Sequence, residues 1–311
     1  AYHDFFPGRC YDGFLYEIAG EEYEEVLDTF LPKNIVFVDT DTCGYTFLLN
    51  EDGTVYDEVT YYKFDDKYWL ASHKELESYF DNSNFDYTLT EISADYKMLQ
   101  VEGKKSGEIA QKFYEYDIST LNFRSGVEMT FENQSGYLVR FGFSGEFGYQ
   151  FFLPTEVFDE FVEKVCKGIP KYGKELDAYL RFEVGQPIQA IYQQENYSLY
   201  ELGYSWNLDF TKEEFKGREN LLESINATNF KSIGFKTDKS VAAGTQVIFD
   251  NEIVGKVCWS ADQCNSLNNY LGLMIIDKEY AHAGVTFVTE NGELLQTISS
   301  PYKIPESWTK E

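Results

Sequence analysis

The chain has 311 residues, more than one ordinary domain, and 43 % of them are apolar, enough to bury sizeable cores. Its 26 basic and 53 acidic residues leave a net charge of −27, which repels phosphate backbones and anionic lipid. Nucleic acid and membrane surfaces are therefore set aside as partners, and no run approaches the roughly 20 apolar residues of a membrane span. The opening Ala-Tyr-His-Asp has neither the basic start nor the apolar centre of a signal peptide. Five scattered cysteines (Cys10, Cys43, Cys166, Cys258, Cys264) form no CxxC pair, and three histidines are few for a zinc cluster. No metal is expected, the thiols read as buried or half-buried residues, and a reduced, cytoplasmic setting follows.

In chain order, the acidic stretch Glu21 to Glu25 reads as the solvated face of a helix running to Leu31. Asn34-Ile35-Val36-Phe37-Val38 reads as a short strand. Phe47 to Asn50 leads into a turn at Glu51-Asp52-Gly53, then a strand over Val55–Phe64 with Tyr68–Ala71 as hairpin partner. Lys74–Phe80 reads as helix. A second portion repeats the theme. Tyr96–Val101 is strand-like and Ser106–Tyr116 helical, Val127–Phe131 and Tyr137–Phe143 make a hairpin, and Phe147–Leu153 is a further strand. Pro154 ends that strand, Thr155 is placed to cap a helix over Glu156–Cys166, and Lys174–Phe182 is one more helix. From about residue 230 six short segments separated by Gly or Asn turns give the pattern of a small barrel or sandwich: Ser232–Lys236, Gln246–Phe249, Glu252–Trp259, Tyr270–Ile276, Val285–Val288 and Leu294–Ser299. The fold class expected is α+β. Residues 1–90 with 175–228 form a first portion, 91–174 a second, and 229–311 a C-terminal β domain.

No dinucleotide loop, phosphate loop or hydrolase elbow occurs, and the acids between Asp238 and Asp262 lack calcium-loop spacing. His73 and His282 have no visible partner and read as ordinary residues. Two sites stand out. Asp57 and Glu58 are adjacent in a strand rich in Val and Tyr, so one carboxylate is expected to face the interior. There it would hold a cationic amine or move a proton; the plain alternative is an edge strand with two solvated acids. The other site, Gly142-Phe143-Ser144-Gly145-Glu146-Phe147-Gly148-Tyr149-Gln150, implies a tight turn with close backbone approach, or simply a hairpin loop.

These segments carry a resemblance to the glycine-cleavage T-protein family of folate-dependent aminomethyltransferases and demethylases. Asn50 to Val59 resembles its N-x-x-G-G-I-x-D-D-L, and Val101 to Ser106 its L-Q-G-P-K-A. Gly142 to Gln150 is similar to G-Y-T-G-E-x-G-F-E, and Leu180 to Pro187 to L-R-L-E-A-G-x-P. Tyr200 to Trp206 resembles L-E-A-G-L-G-W, and Phe215 to Leu221 resembles F-x-G-R-E-x-L. The six blocks keep the family order. The resemblance implies three domains in a ring around a central folate site, the last domain a small barrel. It implies tetrahydrofolate as cofactor, a small-molecule one-carbon donor, and in some members a carrier protein. Glu58 then falls at the acid facing the reacting atoms, with Asp57 beside it. Gln150 falls where a glutamate holds the pterin ring, and Tyr62, Arg140, Glu146 and His73 join it as candidate cofactor-binding residues.

Departures accompany the match. Gln150 accepts through its amide oxygen but offers no bidentate carboxylate. The Arg of A-R-D-x-L-R falls at Asp177, and the Asn of L-V-x-N-A falls near Ser72-His73. The T-S-G-x-x-S-P block reads Cys258-Trp259-Ser260-Ala261-Asp262. The folate-binding iron–sulfur assembly branch carries a cysteine where this chain has Lys216-Gly217-Arg218-Glu219, which sets that branch aside. The expectation is methyl or aminomethyl transfer to tetrahydrofolate; the competing one is a catalytically lapsed scaffold that binds another ligand or partner.

Overall fold

The computed structural model describes residues 6–81, 84–167, 173–265 and 267–308. Its first stretch holds β1 (Phe6–Cys10), β2 (Phe14–Gly20), α1 (Tyr23–Phe30), β3 (Thr42–Leu49), β4 (Val55–Lys63), β5 (Lys67–Ser72), α2 (Glu77–Phe80) and β6 (Tyr87–Glu91). Next come β7 (Tyr96–Glu102), α3 (Ser106–Ala110), β8 (Gly126–Phe131), β9 (Gln134–Val139), β10 (Gly148–Pro154) and α4 (Thr155–Val165). Then follow α5 (Lys174–Glu183), α6 (Gln189–Tyr192) and α7 (Arg218–Ala227). The last part is β11 (Phe230–Thr237), β12 (Gln246–Phe249), β13 (Glu252–Ser260), β14 (Tyr270–Asp277), β15 (Thr286–Thr289) and β16 (Leu294–Ile298).

The strands form two five-stranded sheets, in the orders β3-β4-β5-β2-β6 and β1-β7-β10-β9-β8, and a closed barrel, β11-β14-β13-β12-β15-β16. All six strands expected after residue 230 are in that barrel. Strand β1, from the segment assigned by sequence to the first portion, pairs with β7 of the second sheet.

Alternation along β4 explains how the two sheets meet. Val59 and Tyr61 enter a core under α1 and α2, while Tyr62 on the opposite face joins a layer with Trp69, Met98, Phe141 and Phe152. That layer draws side chains from both sheets, so it is the seam between them. A further core joins α5, α6 and the ends of β3 and β4 to Cys258, Leu271 and Ile275 of the barrel. Much of the aromatic surplus goes into the cores of the molecule as a whole: Tyr16, Tyr68, Phe47, Phe141, Phe151 and Phe152 are all fully buried.

Several local expectations change. Residues 34–38 are turn and bend rather than strand. Their carbonyls are taken by side chains, Tyr68 Oη to Ile35 O at 2.8 Å and Lys63 Nζ to Val36 O at 2.7 Å, so no partner strand is needed. Thr155 does not cap α4; Pro154 holds the cap position and Thr155 Oγ1 donates to the Ala94 carbonyl. Helix α2 begins only at Glu77, because the backbone at residues 73 and 74 is turned toward Asp57. Helix α3 ends at Ala110 and tightens into a 3-10 turn over Gln111–Phe113. Strands β1, β2 and β6 and helices α6 and α7 had no counterpart in the sequence reading. Cys10 and Cys264 are exposed rather than half-buried.

Candidate functional site

Strand β4 lies between β3 and β5, so neither of its acids is on an edge. Asp57 is 0 % and Glu58 4 % exposed, which overturns the reading of two solvated acids and buries both where one was expected. They occupy opposite faces. Asp57 Oδ2 accepts from Ser72 Oγ at 2.8 Å, His73 N at 2.7 Å and Lys74 N at 3.0 Å. Burial pushes its pKa up and these bonds oppose the rise. Its role is to clamp the turn after β5, and its other oxygen, Oδ1, is buried without a partner.

Glu58 faces the seam. Arg181 Nη1 donates to both its oxygens, at 3.0 and 3.2 Å, while Arg181 Nε donates to Asp177 at 3.1 Å. The guanidinium carbon lies 3.6 Å from the centroid of the Phe143 ring. Burial raises the Glu58 pKa; the arginine charge pulls it back. Asp177 also pairs with Arg9 at 2.9 Å, Arg9 with Asp12, and Asp12 with Lys174. An alternating chain of charge thus runs from the buried Glu58 to the exposed Lys174.

Beside Glu58 is a cavity of about 40 Å3 whose wall includes Gln150, His73, Arg9, Tyr11, Gln100 and Glu102. Gln150 and Gln100 are register partners across β10 and β7. Tyr62 Oη donates to Gln150 Oε1 at 2.8 Å, Gln150 Nε2 to Gln100 Oε1 at 2.7 Å, and Gln100 Nε2 to the Phe141 carbonyl at 2.9 Å. Glu102 is seized by the glycine-rich loop: Phe143 N and Ser144 N donate to it at 3.1 and 2.8 Å, and Ser144 Oγ also donates. A Cβ on Gly142 would stand 2.6 Å from the Glu102 oxygen, so a side chain there would push Glu102 out of the grip of the loop. His73 is pushed down to about 4, by burial first and then by Arg181 and Arg9, and is a neutral imidazole at pH 7. Tyr11 rests against it, ring centroids 5.3 Å apart, and the Tyr11 hydroxyl is buried with no partner.

Of the residues singled out in the sequence, Glu58, Gln150 and His73 come together at this cavity. Asp57 and Tyr62 lie behind it, one shaping the turn that carries His73 and the other orienting Gln150. Arg140 and Glu146 are not brought to it. Arg140 donates to the Leu121 carbonyl at 2.6 Å and covers the Phe147 ring, while Glu146 accepts from Ser307 in the C-terminal segment. His282 is exposed on the barrel side. The sequence reading missed Arg9, Tyr11, Gln100 and Glu102 and took Arg181 for scaffold. The pair Gln100 and Glu102, two apart and so on one face of a strand whose intervening residues are apolar, was the available signal; Arg9 and Tyr11 had none.

A family model described as the GCVT N-terminal domain matches residues 15–212. The chain is 27 % identical over 303 residues to an aminomethyltransferase of Thermoanaerobacter pseudethanolicus, covering 91 % of this chain and 82 % of that one. It is 24 % identical over 284 residues to an aminomethyltransferase of Alkaliphilus oremlandii, covering 86 % and 77 %. The fold is similar to the crystal structure of glycine cleavage system aminomethyltransferase T from Bartonella henselae, with TM-score 0.82 and 17 % identity over 97 % of this chain and 88 % of that one. Among the described residues no helix is long and apolar enough to cross a membrane.

Proposed function

The chain belongs to the glycine-cleavage T-protein family, and from that premise we propose that it transfers a one-carbon group, methyl or aminomethyl, from a small donor to tetrahydrofolate at the seam between its two sheets. The observation that supports this reading is that Glu58 and Gln150, from different sheets, line one cavity. A carrier-bound aminomethyl group, as a partner protein would present it, is the finer form of the donor, and the cytoplasm is the proposed setting.

The donor set fits a folate ring in chemistry. Gln150 Oε1 uses one lone pair on Tyr62 and keeps a second, and the Tyr11 hydroxyl is buried without a partner, so the cavity holds polar capacity that the chain leaves unmet. Space is the obstacle: about 40 Å3 holds a few waters, so a bicyclic ring enters only as Arg181 and Phe143 draw back. Bound tetrahydrofolate would supply the nitrogen that receives the one-carbon unit. Gln150 would hold the ring edge. Glu58, released from Arg181, would balance the positive charge of an amine donor. His73, neutral at pH 7, would accept a proton, held in place by the grip of Asp57 on its backbone.

The same closure favours a second reading, a lapsed site on a T-protein scaffold, since Glu58 is already satisfied by an internal cation. Anaerobic calorimetric titration with tetrahydrofolate separates the two. Micromolar binding, weakened at least tenfold in Gln150→Ala, supports transfer; no binding at millimolar ligand selects the lapsed scaffold. Under the first reading Glu58→Gln abolishes transfer while the far-ultraviolet dichroism stays that of the parent. Transfer at the parent rate would remove Glu58 from the mechanism.

A further inference from the structure

Glu146 stands in the glycine-rich block yet takes no part in the central cavity. It meets the segment that follows β16 instead. Ser307 N donates to Glu146 Oε2 at 3.3 Å and Ser307 Oγ donates to the same oxygen, while Phe147 N donates to Ser307 Oγ at 3.3 Å. Beside them Lys104 Nζ pairs with Glu306 Oε1 at 2.7 Å. Gly145 is left-handed at φ 76°, and a Cβ there would stand 2.6 Å from Pro305 Cγ and 2.9 Å from Val184 Cγ1. Lys303 N donates to the carbonyl of Glu183, the last residue of α5, at 2.9 Å. Residues 303–308 thus fasten to the glycine-rich loop and to the end of α5 together.

Those two elements carry the residues that close the cavity. The loop brings Phe143 and grips Glu102 through Phe143 N and Ser144 N. Helix α5 brings Arg181, which lies on the Phe143 ring and donates to Glu58. The fastening across them is light. Among the described residues, 303–308 pair with no strand and form only a 3-10 turn over Glu306–Trp308. Pro305 is buried, but Ile304 and Trp308 are 66 % and 53 % exposed. A segment held by a few side-chain bonds and little buried surface opens at a small fraction of the free energy of global unfolding.

We propose that residues 303–308 are a strap that keeps the central cavity closed, and that its release from Glu146 and Lys104 lets Phe143 and Arg181 draw back for a ligand. This rests on the reading that a ring enters as those two residues retreat. A ligand that fits only the open form binds with an affinity reduced by the fraction of open molecules. Weakening the strap should therefore make binding tighter and entry faster, the reverse of what loss of a ligand contact does.

The test compares the parent with the double variant Lys104→Gln, Ser307→Ala, which removes the ion pair and the hydroxyl bonds; neither residue lines the cavity. Amide hydrogen exchange is read residue by residue by NMR, without ligand. The expected result is exchange at least tenfold faster at Phe143 and Ser144, the amides that Glu102 holds, with the barrel amides of β13 and β14 unchanged. Phe147 N is left out of the comparison because it loses its own acceptor. Unchanged exchange at Phe143 and Ser144, or equal acceleration in the barrel, overturns the strap. Calorimetry and stopped-flow mixing with tetrahydrofolate should give binding at least threefold tighter and entry at least threefold faster in the variant; weaker or unaltered binding overturns the strap as well. Should the double variant not fold, Ser307→Ala alone decides. Faster exchange with no tetrahydrofolate binding in either protein removes the transfer reading and leaves the strap. Tetrahydrofolate bound equally by both proteins, with unchanged exchange, removes the strap and leaves the transfer reading.

Discussion

At the scale of single residues, His73 is the group whose charge the fold controls most directly. Its ordinary pKa of 6.5 falls to about 4 in the folded chain. Between those values the unfolded chain takes up a proton that the folded one declines. The His73 contribution to stability is therefore complete above about pH 6.5 and drains away as pH falls toward 4. The buried carboxyls of Asp57, Glu58 and Glu102 are shifted upward and act in the opposite sense, so the parent alone does not isolate the imidazole. Comparison with His73→Asn does. The parent's stability relative to that variant should drop by roughly 2 kcal/mol between pH 7 and pH 5 in urea unfolding. An unchanged difference would mean the imidazole is not desolvated. Asp57 belongs at this scale too: its alternation in β4 was readable, but its three donors come from the last residue of β5 and the turn after it, and no spacing in β4 announces them.

At the scale of elements, two of the six family-like blocks turn out to be one junction. The β3–β4 turn at Gly53 rests on the start of α7, where Gly217 holds the cap position at φ 77°. A Cβ on Gly217 would lie 2.2 Å from the Asn50 carbonyl. Gly217→Ala adds that overlap to left-handed strain and should destabilise by about 2–3 kcal/mol. Gly244→Ala is the comparison, since Gly244 is also left-handed but has nothing within 4 Å, and it should cost only about 1 kcal/mol. Equal losses in denaturant melts would show that the junction does not matter. The barrel strands, β4, β5, β7 and β10 were legible because alternation and turn residues are local signals. The stretch 34–38 was not, because of its apolar residues only Ile35 is buried while Phe37 lies exposed, and side chains serve its carbonyls. Strand β1 was missed for a different reason: Pro7 and Gly8 obscure its pattern, and it exists by pairing with β7 far along the chain.

At the scale of the whole molecule, three bodies share one surface of charge −27. Self-repulsion opposes the compact state and salt screens it, the screening length falling from about 30 Å at 0.01 M to about 8 Å at 0.15 M. The melting temperature should therefore rise by several degrees over that range. A fall would mean that attractive pairs such as Arg9–Asp177 outweigh the repulsion. The two sheets meet through an aromatic seam, and the candidate site is the polar hole in it, which is why its residues come from β1, β4, β7, β10 and the turn after β5 together.

The amino-acid sequence by itself determined the alternation of the strands, the six short segments after residue 230 and the order of blocks that ties the chain to its family, since each is written in neighbours within a few residues; that the six segments close into a barrel is decided by β11 pairing with β16. It also placed Glu58 and Gln150 as candidates. Only the tertiary structure decided that Arg181 closes onto Glu58 and that Asp57 turns away to grip the backbone of His73. These facts arise where separate sheets and loops are pressed into contact. Burial there sets which charges must be paired, and no periodicity along the chain encodes which side chain will arrive from the other side.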